Sequence, residues 1–193
     1  MINISIDAST SMIGYSIWED DILLKYGKIS PINSNAEWRD RIISLINQLK
    51  YLTNEYKFDN MFVEDVPNKP NGGVLTAIKL GAMQGALLGF CSTNNINPVF
   101  IKVGTWRHNI GLFDGTKERL QRDNLKIASI DKANELFGLT LQKVFTKGGN
   151  FKDGISDDDI SDSILIYAST REKYKYKKPI IQIGKRKVGW VNG

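Results

Sequence analysis

Cysteine is nearly absent from this chain. Cys91 is the single cysteine in 193 residues, which excludes an intrachain disulfide and suits a reducing compartment. Cys91 follows the apolar run Leu87-Leu88-Gly89-Phe90 with no catalytic partner in view, so it reads as core filling. Histidine is as scarce: His108, in Trp106-Arg107-His108, is the only one. A lone histidine is more often a surface or polar-core residue than a ligand, and it is kept out of any metal site here. No basic segment leads into a long apolar block at the N-terminus, so no signal peptide is expected. The longest weakly polar run, about residues 80–91, is too short and glycine-rich to span a bilayer, so no membrane partner is expected. Internal repeats and low-complexity stretches are lacking too, which excludes a solenoid. The expectation is a soluble, cytoplasmic α/β domain, long enough to bury a real core. A net charge of +5 and a pI near 9.2 lean mildly toward polyanionic partners.

What is present begins with alternation. Ile2, Ile4 and Ile6 interleave with Asn3, Ser5 and Asp7, the period-2 pattern of a strand with one face in a core. Gly14 then lets the backbone turn into a second strand, Tyr15 to Trp18. Asp20-Asp21 is a hairpin tip, and Ile22 to Ile29 the return strand. An aspartate closing a strand can merely cap a turn. Asp7 gains a functional reading only if other carboxylates arrive at matching places.

They do. Ser34 and Glu37 form a capping-box signature ahead of an amphipathic helix of about 20 residues, with Trp38, Ile42, Leu45, Leu49 and Leu52 at helical spacing. Met61-Phe62-Val63 is an apolar run closing on Glu64, which fits a strand buried on both faces of a partly parallel sheet. Residues 66–73 form a loop by turn chemistry. A helix follows from Val74 to Phe90, and its glycines 81, 85 and 89 require close packing against another element. Pro98 to Val103 is a further strand. Lys117 to Phe137 reads as a basic amphipathic helix with a break near Ser129, ended by Gly138.

After a Gly, Lys and Asp loop at 146–156 comes Asp157-Asp158-Asp159-Ile160-Ser161-Asp162. Ile160, Ser163, Ile164 and Tyr167 make a buried helical stripe. Acids in a first helical turn complement its dipole, which accounts for Asp157 and Asp158. It accounts less well for Asp162, a full turn in. Asp159 and Asp162 are i and i+3, so they project from one face; Asp158 is an alternative to Asp159. Clustered acids beside a packed surface call for a positive partner, and a hard divalent cation with oxygen ligands is the natural one. Two such ions about 3.5–4 Å apart can clamp the attacking water and the leaving oxygen of a phosphodiester.

Taken together, Ile4-Ser5-Ile6-Asp7, Gly14-Tyr15-Ser16, Phe62-Val63-Glu64, Ile78-Lys79-Leu80-Gly81 and Asp159-x-x-Asp162 resemble a RuvC-type Holliday junction resolvase of the RNase H-like nuclease superfamily. The likeness covers residues 1 to about 170, and the small phage and poxvirus enzymes look nearest. It implies an RNase H-like α/β fold: a mixed central sheet, antiparallel hairpin strands followed by parallel ones, flanked by helices. Residues 1–170 would be the nuclease domain and 171–193 a basic segment of it or a tail.

The resemblance further implies a Mg²⁺-dependent endonuclease that cleaves branched DNA and leaves 5′-phosphate and 3′-hydroxyl ends. Asp7, Glu64, Asp159 and Asp162 would bind two Mg²⁺ ions, with Mn²⁺ able to substitute and Asp7 bridging both. Lys126 takes the place of a lysine that reaches the DNA backbone near the cut; without the likeness it is a solvated helix lysine. Asn68, Lys69, Lys117 and Arg119 are the further DNA-contact candidates. The family's inserted aromatic falls on Pro67, which puts an aromatic wedge from that loop in doubt. The family is homodimeric, suiting a junction of near two-fold symmetry. The glycine-rich helix is the candidate contact, with packing on its own sheet as the alternative. The run Arg171 to Lys187 is either a phosphate-binding arm, with a short strand at Ile180–Ile183, or a solvated tail. A phage or similar replicating element is the expected setting.

Three rivals share parts of this pattern. A sugar-kinase or actin-like ATPase also opens on a strand, an Asp and a hydroxyl-rich hairpin, but needs a second such lobe that 193 residues do not show. Another RNase H-like nuclease acting on RNA or RNA–DNA hybrids shares the metal chemistry. A non-catalytic DNA-binding relic would lack one of the four acids, and none is missing.

Overall fold

The computed structural model describes residues 1–66, 73–113, 116–152 and 155–177. Strands β1 (Ile2–Ala8), β2 (Ile13–Glu19) and β3 (Ile22–Ile29) form an antiparallel meander; α1 (Trp38–Glu55) follows, then β4 (Asn60–Asp65), α2 (Gly73–Asn94) and β5 (Asn97–Lys102). Helices α3 (Val103–Ile110), α4 (Arg122–Phe137) and α5 (Asp158–Ala168) complete the body, with a 3-10 turn at Glu172–Tyr174. The sheet runs β3-β2-β1-β4-β5; β4 and β5 lie parallel to β1 and to each other. The expected mixed sheet flanked by helices is what forms.

Side chains alternate across the sheet and bury two cores. One holds Ile4, Ile6, Ile13, Ile17, Met61 and Val63 against Leu45 and Leu49 of α1 and Met83 and Leu87 of α2. The other gathers Trp18 with Trp106, Ile130, Ile164 and Tyr167 from α3, α4 and α5. The polar positions of β1, expected on an open face, are in fact roofed by α5. Asn3 and Ser5 are buried, and Asn3 Nδ2 donates to Tyr167 Oη at 3.1 Å. This polar alternation therefore marks a second buried face, hydrogen-bonded at Asn3 while Ser5 Oγ has no partner among the described residues, which the period alone cannot distinguish from solvent.

Several boundaries differ from expectation for local reasons. Glu37, not Ser34, caps α1, its carboxylate accepting from Trp38 N–H; the Ser34 carbonyl accepts from Arg41 instead. Gly14 lies inside β2 rather than at its entry. Residues 117–120 are turns, so α4 starts at Arg122, and it runs unbroken through the buried Ser129. Helix α2 extends to 22 residues and is long and apolar enough to cross a membrane, which the shorter run expected at 80–91 was not; its Met83, Leu87, Phe90 and Cys91 are buried in the core. A β-carbon at Gly81, Gly85 or Gly89 would meet nothing within 4 Å among the described residues, so packing there does not compensate the glycines. Beyond α5, Arg171 pairs with Asp21 at 2.6 Å and Tyr174 Oη donates to the Asp21 carbonyl at 2.9 Å, so 171–174 pack on the hairpin tip. The strand at Ile180–Ile183 and the basic residues beyond Lys177 lie outside the described residues.

Candidate active site

Parallel pairing of β1 and β4 matches Ile6 with Val63, so Asp7 and Glu64 are the next residues on adjacent central strands. Alternation turns both to the α5 side. The carboxyl ends of parallel strands are where an open α/β sheet exposes its loops and builds sites. At the same edge, on the opposite face of the sheet, a small cleft lies between the ends of β1 and β4 and Leu80, Met83, Gln84 and Leu87 of α2.

Helix α5 brings the remaining acids by close docking. Ser16 Oγ donates to the Ser163 carbonyl at 3.0 Å, and Tyr167 stacks on Trp18 with ring centroids 4.7 Å apart. Nearer the helix N-terminus, a β-carbon at Gly14 would stand 2.0 Å from the Asp159 carbonyl oxygen. Only glycine lets the helix approach β2 so closely.

The four carboxylates act on one another. Burial holds the Asp7 carboxyl well above the usual range, and Glu64, Asp162 and Asp159 push it further, against an opposing pull from Lys126. Burial and then the Asp162 charge raise Glu64 to about 7, with Arg107, Trp106 and Lys126 opposing. Burial and Asp158 raise Asp159 to about 6, and burial raises Asp162 against Arg107 and the Ser129 hydrogen bond. Such mutual repulsion places Asp7, Glu64, Asp159 and Asp162 in one neighbourhood.

Protein donors already hold these acids in part. Trp106 Nε1 donates to Glu64 Oε2 at 2.8 Å, Ser129 Oγ donates to Asp162 Oδ1, and Arg107 stands 3.9 Å from Asp162 Oδ2. Among the described residues no three acids, histidines or cysteines are arranged as a ready-made ion site. The donor chemistry nevertheless fits hard cations: carboxylate oxygens only, and costly to leave near one another uncompensated. Asp158 is buried and bonded to Lys126, with its Oδ1 lacking a hydrogen-bond partner. Asp159, not Asp158, is the acid whose charge bears on Asp7.

Lys126 therefore reaches the site, but with its ammonium paired and only 12% of its side chain exposed. Lys117 is exposed and Arg119 half-buried in the turns before α4, and Asn68, Lys69 and Pro67 lie outside the described residues. His108 is exposed on α3, beside Asn109 and Tyr176. Sequence reasoning missed Trp106, Arg107 and Ser129. The signal for the first two was their place in the helix that follows β5, the fourth strand to end at this edge after β1, β3 and β4.

No family model matches the chain, and no curated protein sequence does. Solved structures do. T. thermophilus RuvC in complex with a Holliday junction substrate superposes with a TM-score of 0.61 at 12% identity, covering 91% of this chain and 98% of that one. The fold is RuvC-like. Fowlpox virus resolvase, solved with Holliday junction DNA, gives a TM-score of 0.50 at 16% identity over 88% of this chain and 96% of its own. The bacterial RuvC superposes better, while the viral resolvase shares slightly more sequence. At such identities the likeness establishes a RuvC-like architecture over about nine-tenths of the chain.

Proposed function

We propose that this protein is a metal-dependent, structure-selective DNA endonuclease that cleaves Holliday junctions and other branched DNA. The observation that carries the reading is the cluster of four mutually repelling carboxylates at the carboxyl ends of β1 and β4 and on α5, set on a RuvC-like fold. Asp7, Glu64, Asp159 and Asp162 would hold divalent cations, Mg²⁺ or in its place Mn²⁺. Bound there, such ions supply an activated water and charge stabilisation at a phosphodiester, giving 5′-phosphate and 3′-hydroxyl ends. Trp106 fixes one oxygen of Glu64, and Ser129 and Arg107 steer Asp162. Lys126 balances the acids through Asp158, and Lys117 and Arg119 offer cationic groups to phosphates.

A homodimer joined through α2 completes the reading, since a two-fold enzyme suits a four-way junction. Support comes from the exposed Val74, Leu75, Ile78 and Leu88 together with the unpacked glycines of the same helix.

The deciding experiment incubates the protein with a four-way junction, a flap, a plain duplex and an RNA–DNA hybrid, with Mg²⁺ or with EDTA. Branched DNA should be cut only with Mg²⁺. If all four substrates stay intact with Mg²⁺ while DNA binding is normal, the nuclease reading fails. Preferential cutting of the hybrid would move the substrate to RNA.

A further inference from the structure

Just ahead of α5 the chain makes a short hairpin whose two rings differ sharply in exposure. Phe145 and Phe151 pair across it in an antiparallel bridge, their rings edge-to-face at 5.9 Å. Phe151 is buried in the core beside Trp106 and Ile164, whereas Phe145 is 44% exposed, the most exposed phenylalanine among the described residues. Thr146-Lys147-Gly148-Gly149-Asn150 closes the turn, with Gly149 at φ 83° and Thr146 N–H donating to the Asn150 carbonyl at 2.8 Å. Lys147 and Lys152 are exposed on either side of it.

The hairpin is fastened to the helix that carries two of the acids. The wholly buried Ser156 accepts from Val144 N–H at 2.9 Å and donates to the Lys152 carbonyl at 2.9 Å, closing the hairpin's base. Asp157 N–H donates to the Gln142 carbonyl at 2.9 Å, and Gln142 N–H returns a bond to Asp157 Oδ2 at 2.8 Å. Lys28 of β3 locks the same turn through the Ser156 carbonyl and through Asp157 at 3.3 Å. Ser156 is three residues from Asp159, so the hairpin's position is tied to that of the acid cluster. A tightly anchored element that holds one aromatic face out to solvent between lysines has the make-up of a stacking platform for nucleic acid.

We propose that the hairpin 144–152 contacts DNA beside the cleavage site, with Phe145 stacking on a base left open at a branch point and Lys147 and Lys152 meeting the flanking phosphates. The inference rests on the nuclease reading above and deepens it by naming what selects the substrate. In an intact duplex every base already has stacked neighbours and offers Phe145 no face; at a branch point one does. Aromatic stacking accepts any base, so this contact recognises structure rather than sequence.

Fluorescence anisotropy with junction and duplex in EDTA measures binding alone, and a 2-aminopurine at the branch point reports stacking there. Phe145→Ala should weaken junction binding about ten-fold and leave duplex binding unchanged, losing the 2-aminopurine response. Phe145→Trp should restore both, and an unaltered Tm in the alanine variant excludes misfolding as the cause. Replacing Lys147 and Lys152 by alanine should weaken both DNAs and flatten the salt dependence. Phe145→Ala binding the junction like wild type with the same 2-aminopurine signal overturns the proposal. Parallel cleavage assays separate the two readings. Wild-type cutting with an indifferent Phe145→Ala removes the hairpin's role alone, and a wild type that neither binds nor cuts the junction removes both.

Discussion

A β-carbon at Gly14 would sit 2.0 Å from the carbonyl oxygen of Asp159 and 2.3 Å from its carbonyl carbon, and backbone at that distance has no side-chain freedom with which to yield. Gly14→Ala must therefore push the first turn of α5 away from β2, carrying Asp159 with it. Such overpacking costs about 1–3 kcal/mol, and cleavage should fall further than stability because the displaced group is a carboxylate of the site. Gly104, in α3 with nothing within 4 Å of its β-carbon position, is the control: Gly104→Ala should leave both Tm and cleavage at or above wild type. A Gly14→Ala protein that melts and cuts normally would contradict this account. The sequence shows Gly14 only as a residue between two apolar runs, which reads as a turn. Its contact with Asp159 spans 145 positions and exists only after the sheet and α5 have met. Asp7, Glu64 and the 159/162 pair were legible because each closes or opens a periodic apolar run. Trp106, Arg107 and Ser129 were not, because two hydrogen bonds and an ion pair, to partners 42, 33 and 55 positions away, leave no local pattern.

Elements were legible where one period ran without competition. The three strands of the meander and the helix of the Asp-x-x-Asp motif appear close to where alternation and the apolar stripe put them. Helix ends were less so. The start of α1 shifted to Glu37 because that side chain satisfies the Trp38 N–H directly, and the basic run before α4 remained in turns, with Asn124 Nδ2 donating to the Glu118 carbonyl at 2.7 Å. Helix α2 presents a different case: glycine in a helix interior is unfavourable by up to about 1 kcal/mol relative to alanine, and nothing among the described residues packs against these glycines to offset it. A second copy of α2 crossing at the glycine stripe would. If the proposed dimer forms through this stripe, Gly85→Leu should convert it to monomer in sedimentation equilibrium without lowering the monomer's Tm, because the described residues leave that position open. A Gly85→Leu protein that stays dimeric would move the proposed two-fold contact to another surface, and a wild type that is monomeric would remove it.

The molecule as a whole carries its acid cluster as a stored cost, and the cost depends on pH. Asp7, Glu64, Asp159 and Asp162 all have carboxyls raised in the folded protein, Glu64 to about 7 and Asp159 to about 6, chiefly by burial and by one another, with Lys126 and Arg107 opposing. A raised folded-state value means the native chain binds protons that the unfolded chain has released, so stability is fully present below the ordinary carboxylate range. It is lost as pH rises through the folded values. Without added metal, Tm should therefore decline between about pH 5 and about pH 8, and Mg²⁺ should cancel most of that decline by favouring the charged carboxylates. Asp7→Asn removes the charge that Glu64, Asp162 and Asp159 all oppose. Its metal-free Tm should equal or exceed wild type at about pH 8 and fall less steeply with pH, in a protein that no longer cuts DNA. A steep loss of Tm in Asp7→Asn would make Asp7 a structural residue of β1. A wild-type Tm that is flat across this range and indifferent to Mg²⁺ would mean that the four carboxylates neither repel one another nor share a cation, and the proposed catalytic centre would lose its physical basis.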